Sequence, residues 1–327
     1  MMGSMVKRLG IFFVAGLVCT YLISFPATAR GQVYPTKPIT MYVGYAPGAT
    51  TDLTARALAA GAEKLLGVPI VVENKPGGDA TVAPALLASK KPDGYTIEVG
   101  TSGALLVSPH FLKLGYDPLK DFTYLFQYSR YIAALCVNGD SPLKTIEEFI
   151  AYAKKRPGLS YGSPGPHSQS SMGVELFAKC KGLTFKHVPT KGGAEFNTLL
   201  LGRHTDFVAG SGSHIPYVKQ GLFRQLLIYH QDERDPKYPE VPTLKELGCR
   251  DSPPINYIVI GPKGMPSAIS KKLVETFKKV AEGPVFQKLL ADNHLPYDFK
   301  DQAQLEKEIP AKYEWYRNYF KETGEIK

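Results

Sequence analysis

Short apolar runs alternate along this chain with stretches whose apolar positions recur every three to four residues. The first run, Ile39-Thr40-Met41-Tyr42-Val43, breaks into Gly44-Tyr45-Ala46-Pro47-Gly48-Ala49-Thr50-Thr51-Asp52 and then into Leu53, Ala57, Leu58, Ala62 and Leu65. That is a strand, a Gly/Pro turn and an amphipathic helix, with Thr50, Thr51 or Asp52 placed to cap the helix. The unit recurs: Ile70 to Asn74, the turn Pro76-Gly77-Gly78 and a small-residue helix from Thr81 to Ser89; then Tyr95 to Val99, ending at Gly100-Thr101-Ser102-Gly103. The mixed segment Phe122 to Val137 reads as a strand passing from one domain to another.

A second domain begins at Thr145-Ile146-Glu147-Glu148, a capping box followed by the apolar face Ile146, Phe149, Ile150 and Ala153. Leu159-Ser160-Tyr161 leads into the turn Gly162 to Ser168 and a helix ending near Cys180. Phe185 to Val188 leads into Lys191-Gly192-Gly193-Ala194 and a helix through Leu201. Asp206 to Ala209 ends at Gly210-Ser211-Gly212-Ser213, and Gln225 to Tyr229 reads as a strand crossing back. The strand Ile255 to Ile260 and helices from Ser267, Pro284 and Gln302 complete the first domain. Tyr313, Tyr316 and Tyr319 share a face of the last helix, an arrangement for packing.

Alternating strands and helices predict an α/β protein whose sheets are mainly parallel and flanked by helices. Residues 30–130 and 231–327 are expected in one lobe and 131–230 in the other, with crossing strands near 130–137 and 225–230. Ligands of open α/β sheets collect beyond the carboxyl ends of strands. The small-residue turns all fall there, so two such lobes would face each other across one cleft. A strand-to-helix turn also offers backbone N–H groups beside the positive end of a helix dipole, which holds anions without a charged side chain.

The N-terminus changes the setting. Lys7 and Arg8 precede the apolar run Leu9 to Phe25, and Ala27-Thr28-Ala29 has the small residues of a cleavage site. Residues 1–29 therefore read as an export signal, which makes the mature chain periplasmic. The formal charge of +9 falls by two when Lys7 and Arg8 leave, since that segment holds no acid. A basic surface attracts anions, but no dense Arg/Lys stripe with interleaved aromatics points to nucleic acid. Of the mature cysteines, Cys136, Cys180 and Cys249, three thiols cannot all pair; an oxidising compartment permits one disulfide. With no CxxC they read as buried, small apolar residues.

Other chemistries find little footing. The seven histidines make neither His-Glu-x-x-His nor close paired spacing, so no metal site is expected, and no Gly-x-Gly-x-x-Gly or Walker spacing implies a cofactor. Ser163, Ser168 and Ser211 stand in a chain with His167, His187 and His214, which keeps a secreted serine hydrolase as an alternative. No Gly-x-Ser-x-Gly elbow supports it, and the chain is read as a non-enzyme.

The mature region resembles the substrate-binding proteins of tripartite tricarboxylate transporters, the Bug-type extracytoplasmic solute receptors. The resemblance rests on Gly48-Ala49-Thr50-Thr51-Asp52, Val72-Glu73-Asn74-Lys75-Pro76-Gly77, Pro92-Asp93-Gly94-Tyr95-Thr96, Tyr116-Asp117-Pro118, His187-Val188-Pro189-Thr190-Lys191-Gly192-Gly193-Ala194, Asp206 and Val241-Pro242-Thr243, in that order. It implies a two-lobed periplasmic-binding-protein (Venus-flytrap) fold that closes on a small carboxylate-containing solute and delivers it to a membrane permease. A receptor feeding a sensor would look the same. Carried over by position, the ligand contacts fall on Tyr45, Gly48, Ala49, Thr50, Thr51 and Asp52, and on Thr101 and Ser102. In the second lobe they fall on Ser163, Gly165, Ser168, Ser170, Gly192, Gly193 and Ala194, with Asp206 near the cleft floor. Ala49 stands where the family usually has a second glycine, Thr190 where a tyrosine is common, and Pro164, Pro166 and His167 where residues are smaller or more flexible. His167 either contacts a ligand carboxylate or fills the turn.

Overall fold

β1 (Ile39–Val43) runs through the Gly/Pro turn into α1 (Thr50–Leu66), as the pattern predicts. Ile39, Met41 and Val43 on one face of the strand are fully buried, and Tyr42 on the other face is buried too, the mark of a strand covered on both faces. The computed structural model describes residues 34–163, 165–166, 168–229, 234–235, 237–250 and 254–326. The expected signal at 1–29 and His167 lie outside the described residues. β2 (Ile70–Asn74), α2 (Val82–Ala88) and β3 (Thr96–Thr101) follow, and β1 pairs in parallel with both β2 and β3. The mixed segment is two strands, β4 (Phe122–Tyr131) and β5 (Ala133–Asn138), with Ile132 alone between them.

Next come α3 (Ile146–Lys155), β6 (Leu159–Ser163), α4 (Gln169–Lys181), β7 (Phe185–Pro189), α5 (Gly193–Leu201), β8 (Phe207–Ser211), α6 (Ile215–Lys219) and β9 (Phe223–Ile228). β10 (Ile255–Pro262), α7 (Ser267–Glu282), α8 (Pro284–Asp292), β11 (Tyr297–Lys300) and α9 (Gln302–Thr323) complete the chain. Two sheets result: six strands in the order β11-β4-β10-β3-β1-β2, and five in the order β7-β6-β8-β5-β9. Each is the floor of one lobe.

The sheets are mixed rather than mainly parallel. The βαβ units pair in parallel, but β4, β10 and β11 run antiparallel in the first sheet, and β5 lies antiparallel between β8 and β9 in the second. The path after β9 keeps to the second sheet for a stretch. Among the described strands β9 pairs with β5 alone, and residues 242–249 lie against the second lobe: Ile228 bridges Thr243, Leu244 N–H donates to Ile228 O (2.8 Å), and Cys249 is bonded to Cys180 of α4. That disulfide corrects the reading of these two cysteines as free apolar residues. Cys136 is the buried thiol, packed with Ala134, Phe196 and Val208.

Aromatic rings fill both lobes. In the first, Tyr128 stacks on Tyr257 (centroids 5.5 Å apart) and meets Phe286 edge-on. In the second, Phe207 stacks on Tyr161 and meets Phe149 edge-on, both at 5.3 Å. Such pairs add to the apolar area they bury. One group conflicts with this apolar setting. Glu98 on β3 is buried, and neither carboxylate oxygen has a hydrogen-bond partner among the described residues. Burial holds its pKa well above the ordinary 4.5. Below that value folded and unfolded chains both carry the proton. As pH rises the unfolded chain ionises first, so stability is lost up to the folded pKa. Glu98→Gln is therefore expected to match the wild type in urea unfolding below pH 4.5 and to exceed it increasingly toward neutrality. A pH-independent difference would contradict a neutral Glu98.

Candidate functional site

The turn after β1 is held by Asp52, which sits in the first turn of α1 rather than capping it; the cap position is Ala49. Asp52 Oδ2 accepts from Gly48 N–H (2.9 Å), and Oδ1 accepts from Asn74 Nδ2 (2.8 Å) and Arg56 Nε (2.9 Å). Asn74 Nδ2 also donates to Tyr45 O (2.8 Å), which ties the turn to the end of β2. Asp52 is therefore a shaping residue, its carboxylate occupied within its own lobe. Tyr45 Oη lies 3.0 Å from Thr101 Oγ1 at the end of β3, and burial of that phenol raises its pKa to about 12. It is a neutral hydroxyl at any physiological pH.

Opposite stand the turns of the second lobe. Ser168 caps α4, its Oγ accepting from Ser171 N–H (3.2 Å). Ser163 Oγ lies 2.7 Å from His187 Nε2, contacts Ser171 Oγ, and donates to Gly165 O (3.2 Å). Thr190 N–H donates to Ser163 O (2.9 Å), joining the turns after β6 and β7. Gly192 has φ 139, a conformation open to glycine, and begins α5.

The two sets of turns touch. Ala46 N–H donates to Lys191 O (3.1 Å), Thr50 Oγ1 to Ser211 O (3.2 Å), and Ser102 Oγ to Gln169 Oε1 (2.7 Å). The start of α1 thus meets the start of α5 across the gap, and the end of β3 meets the start of α4; both helix starts on the second lobe, like that of α1, bring the positive end of a helix dipole. Beside these contacts is a cavity of about 350 Å³. Gly44, Tyr45, Gly77, Gly78, Asp79 and Ala80 line it from the first lobe; Gly165, Pro166, Pro189, Thr190, Lys191 and Glu195 line it from the second.

Of the residues expected in the site, Tyr45 and Gly165 line this cavity. Gly48, Ala49, Thr50, Gly192 and Ala194 lie where the lobes meet: a Cβ on Gly192 would stand 3.4 Å from Ala49 Cβ, and one on Gly48 3.8 Å from Ala194 Cβ. Gly193 packs on Ser213. Thr101 and Ser102 support Tyr45 and Gln169 from behind, and Ser163 and Ser168 form the hydroxyl cluster. Thr51 and Ser170 are buried in the first turns of α1 and α4.

Asp206 is not with them. It precedes β8, at the end opposite Ser211, and its Oδ2 accepts from Ser160 N–H (2.7 Å) and Oγ–H (2.8 Å). Its carboxylate joins β6 to β8 far from the cleft. Sequence reasoning placed the turn Pro76-Gly77-Gly78 at the cleft but named no residue from Gly77 to Ala80 as a ligand contact. It did not count Lys191 or Glu195 among the ligand contacts, and named His187 only for the hydrolase alternative. Ser163 does meet a histidine, but its side chain is fully buried and already engaged by Gly165 O and Ser171, leaving no approach for a scissile carbonyl.

Two α/β lobes whose strand-end turns enclose one cavity define a solute-binding receptor. Comparison with known proteins gives the same class. The model of the tripartite tricarboxylate transporter family receptor (TctC) matches residues 54–323. A relative from Cupriavidus necator, "UPF0065 protein in gbd 5'region", is 38% identical over 299 residues, 91% of this chain and 90% of that protein. Periplasmic binding protein BugD superposes with a TM-score of 0.83 at 26% identity, covering 89% of this chain and 99% of its own. MatC from Rhodopseudomonas palustris with bound malate gives 0.81 at 26% identity, covering 87% and 99%. The chain belongs to the tripartite tricarboxylate transporter receptor family, whose Bug-type members it resembles in fold throughout.

Proposed function

We propose that this protein is exported by its N-terminal signal, captures a small organic acid between its lobes in the periplasm, and delivers it to a tripartite tricarboxylate transporter permease. The observation that carries the reading is the meeting of strand-end turns from two lobes, with the N-termini of α1 and α5 facing each other, beside a cavity lined largely by backbone and small side chains. Amides and hydroxyls there can hold a carboxylate without a buried ion pair, so release does not require one to be broken. The bound malate of MatC supports an acid of that size. Catalysis and a cofactor have no part in this mechanism.

Residues 131–230 are proposed to move with the 241–249 segment as one body against the rest, pivoting at Ile132 and in the return segment. Bonds such as Thr50–Ser211 and Ser102–Gln169 form only when the lobes meet, so a ligand that touches both halves shifts the equilibrium toward closure. The test is a thermal-shift and calorimetric screen of mono- and dicarboxylates, with scattering on the hits. A binding acid at 100 times its Kd is expected to stabilise the fold by about 2.7 kcal/mol and to compact the molecule. A screen with no stabilising acid, or binding without compaction, would sink the proposal.

A further inference from the structure

The first residue of α4, Gln169, belongs to the second lobe, yet its side chain ends in the first. It is 1% exposed. Its Nε2 donates to Pro254 O (3.0 Å) and to Tyr316 Oη of α9 (2.7 Å), and its Oε1 accepts from Ser102 Oγ (2.7 Å). Pro254 O can only accept, which fixes the amide nitrogen toward it. Ser102 Oγ in turn accepts from Asn256 N–H (2.9 Å), so its one proton is committed to Gln169. Both amide protons and the amide oxygen are thus engaged by the first lobe. A Cβ on Gly103 would stand 3.5 Å from Oε1, so the socket fits the amide closely.

None of these residues lines the cavity between the lobes. The grip is therefore separate from whatever the cavity holds. Further along α4, Lys179 Nζ donates to Thr323 O (2.8 Å). Arg250, next to the bridged Cys249, pairs with Glu322 (3.1 Å) and lies 3.9 Å over the Tyr319 ring. The second lobe thus rests along α9, but exposed contacts of that kind contribute little. The buried amide carries the junction, because a side chain that cannot reproduce its bonds leaves buried partners unpaired.

We propose that Gln169 is the positioning residue of closure, a neutral bolt that the second lobe seats among Ser102, Pro254 and Tyr316 of the first. The inference rests on the closing-receptor reading above and adds the place where the closed state is held. Affinity then depends on a side chain that stands outside the cavity.

Gln169→Glu tests it, because its two effects have opposite signs. A carboxylate keeps the shape but cannot donate to Pro254 O, whereas in the first turn of α4 it complements the helix dipole. Urea unfolding of the ligand-free variant is therefore expected at the wild-type midpoint or above it. Malate, succinate, glutarate and adipate form the calorimetric panel, and those that bind are expected to bind about ten-fold or more weaker. Tyr316→Phe, which removes only a hydroxyl, should weaken the same acids about three-fold in the wild type and far less in the Gln169→Glu background. Trp315, the chain's one tryptophan, meets Tyr316 edge-on at 5.2 Å, so its emission follows the socket. Stopped-flow on that signal is expected to show faster release at an unchanged capture rate. Unchanged affinity in Gln169→Glu, a loss carried by capture, or a loss matched by lower ligand-free stability overturns the bolt and leaves the receptor standing. Should none of the four acids bind, spin-label distances in the ligand-free protein decide, read between Lys90→Cys and Lys154→Cys, exposed sites on opposite lobes. A closed separation depleted in Gln169→Glu supports the bolt, and identical distributions overturn it.

Discussion

Gly165→Ala is expected to weaken solute binding by about 100-fold while leaving the unliganded protein's unfolding transition unchanged. The added Cβ would stand 1.1 Å from Asp79 Oδ1 and 2.3 Å from Asp79 Cγ, an overlap that only movement can relieve. The backbone of Asp79 is pinned between neighbours that are also left-handed, so relief requires its side chain to leave its present rotamer or the lobes to part. Overpacking of this kind costs about 3 kcal/mol at the upper end of its usual range, which is the stated loss in affinity. The cost falls on the meeting of the lobes alone. Asp79→Gly should therefore rescue much of the loss in the double variant, measured with the plain dicarboxylate that binds best. Equal losses from Gly165→Ala in both backgrounds would show that the two residues do not oppose each other across the cleft.

The strand, turn and helix units were legible because each is a local pattern. Apolar runs such as Ile39 to Val43 must be buried, and turns rich in glycine and proline must interrupt them. Strand direction was not legible. β4 and β10 are as thoroughly buried as β1, and burial is the same whichever way a strand runs, so nothing in their composition separates antiparallel from parallel pairing. The turns that meet across the lobes were found by their small residues. Asp79 was hidden because its value lies in a backbone conformation that local composition assigns to glycine. Asp206 misled for the converse reason: an acid beside a strand reads alike at either end, and only the fold reveals that its end faces away from the turns. Asp52 was placed on the right helix, but the start of α1 fell three residues earlier than a capping role for it needs.

Removing the Cys180–Cys249 bond by double serine substitution is expected to cost about 4 kcal/mol of stability in urea unfolding. The two cysteines are 69 residues apart, and the chain-entropy account gives a loop of that length nearly the largest effect a single bridge has. Sequence could not assign the pair, since three thiols allow three pairings and spacing alone favours none. The bond fastens the C-terminal end of α4 to the segment that leaves β9, and Lys181 Nζ donating to Leu247 O (2.7 Å) reinforces the same junction. Its other end carries Ser168 and Gln169 into the cleft, more than two turns away along a helix with its own cap. Affinity for a bound acid should accordingly stay within about three-fold of wild type under conditions where both proteins are fully folded. The stability loss should appear equally when the wild type is unfolded in the presence of a reductant, because Cys136 is buried in the apolar core and is not part of the bridge. A reduced protein as stable as the oxidised one would mean that hydrogen bonds such as Leu244–Ile228 already hold the returning segment in the unfolded ensemble's place, and that the bridge adds no constraint of its own.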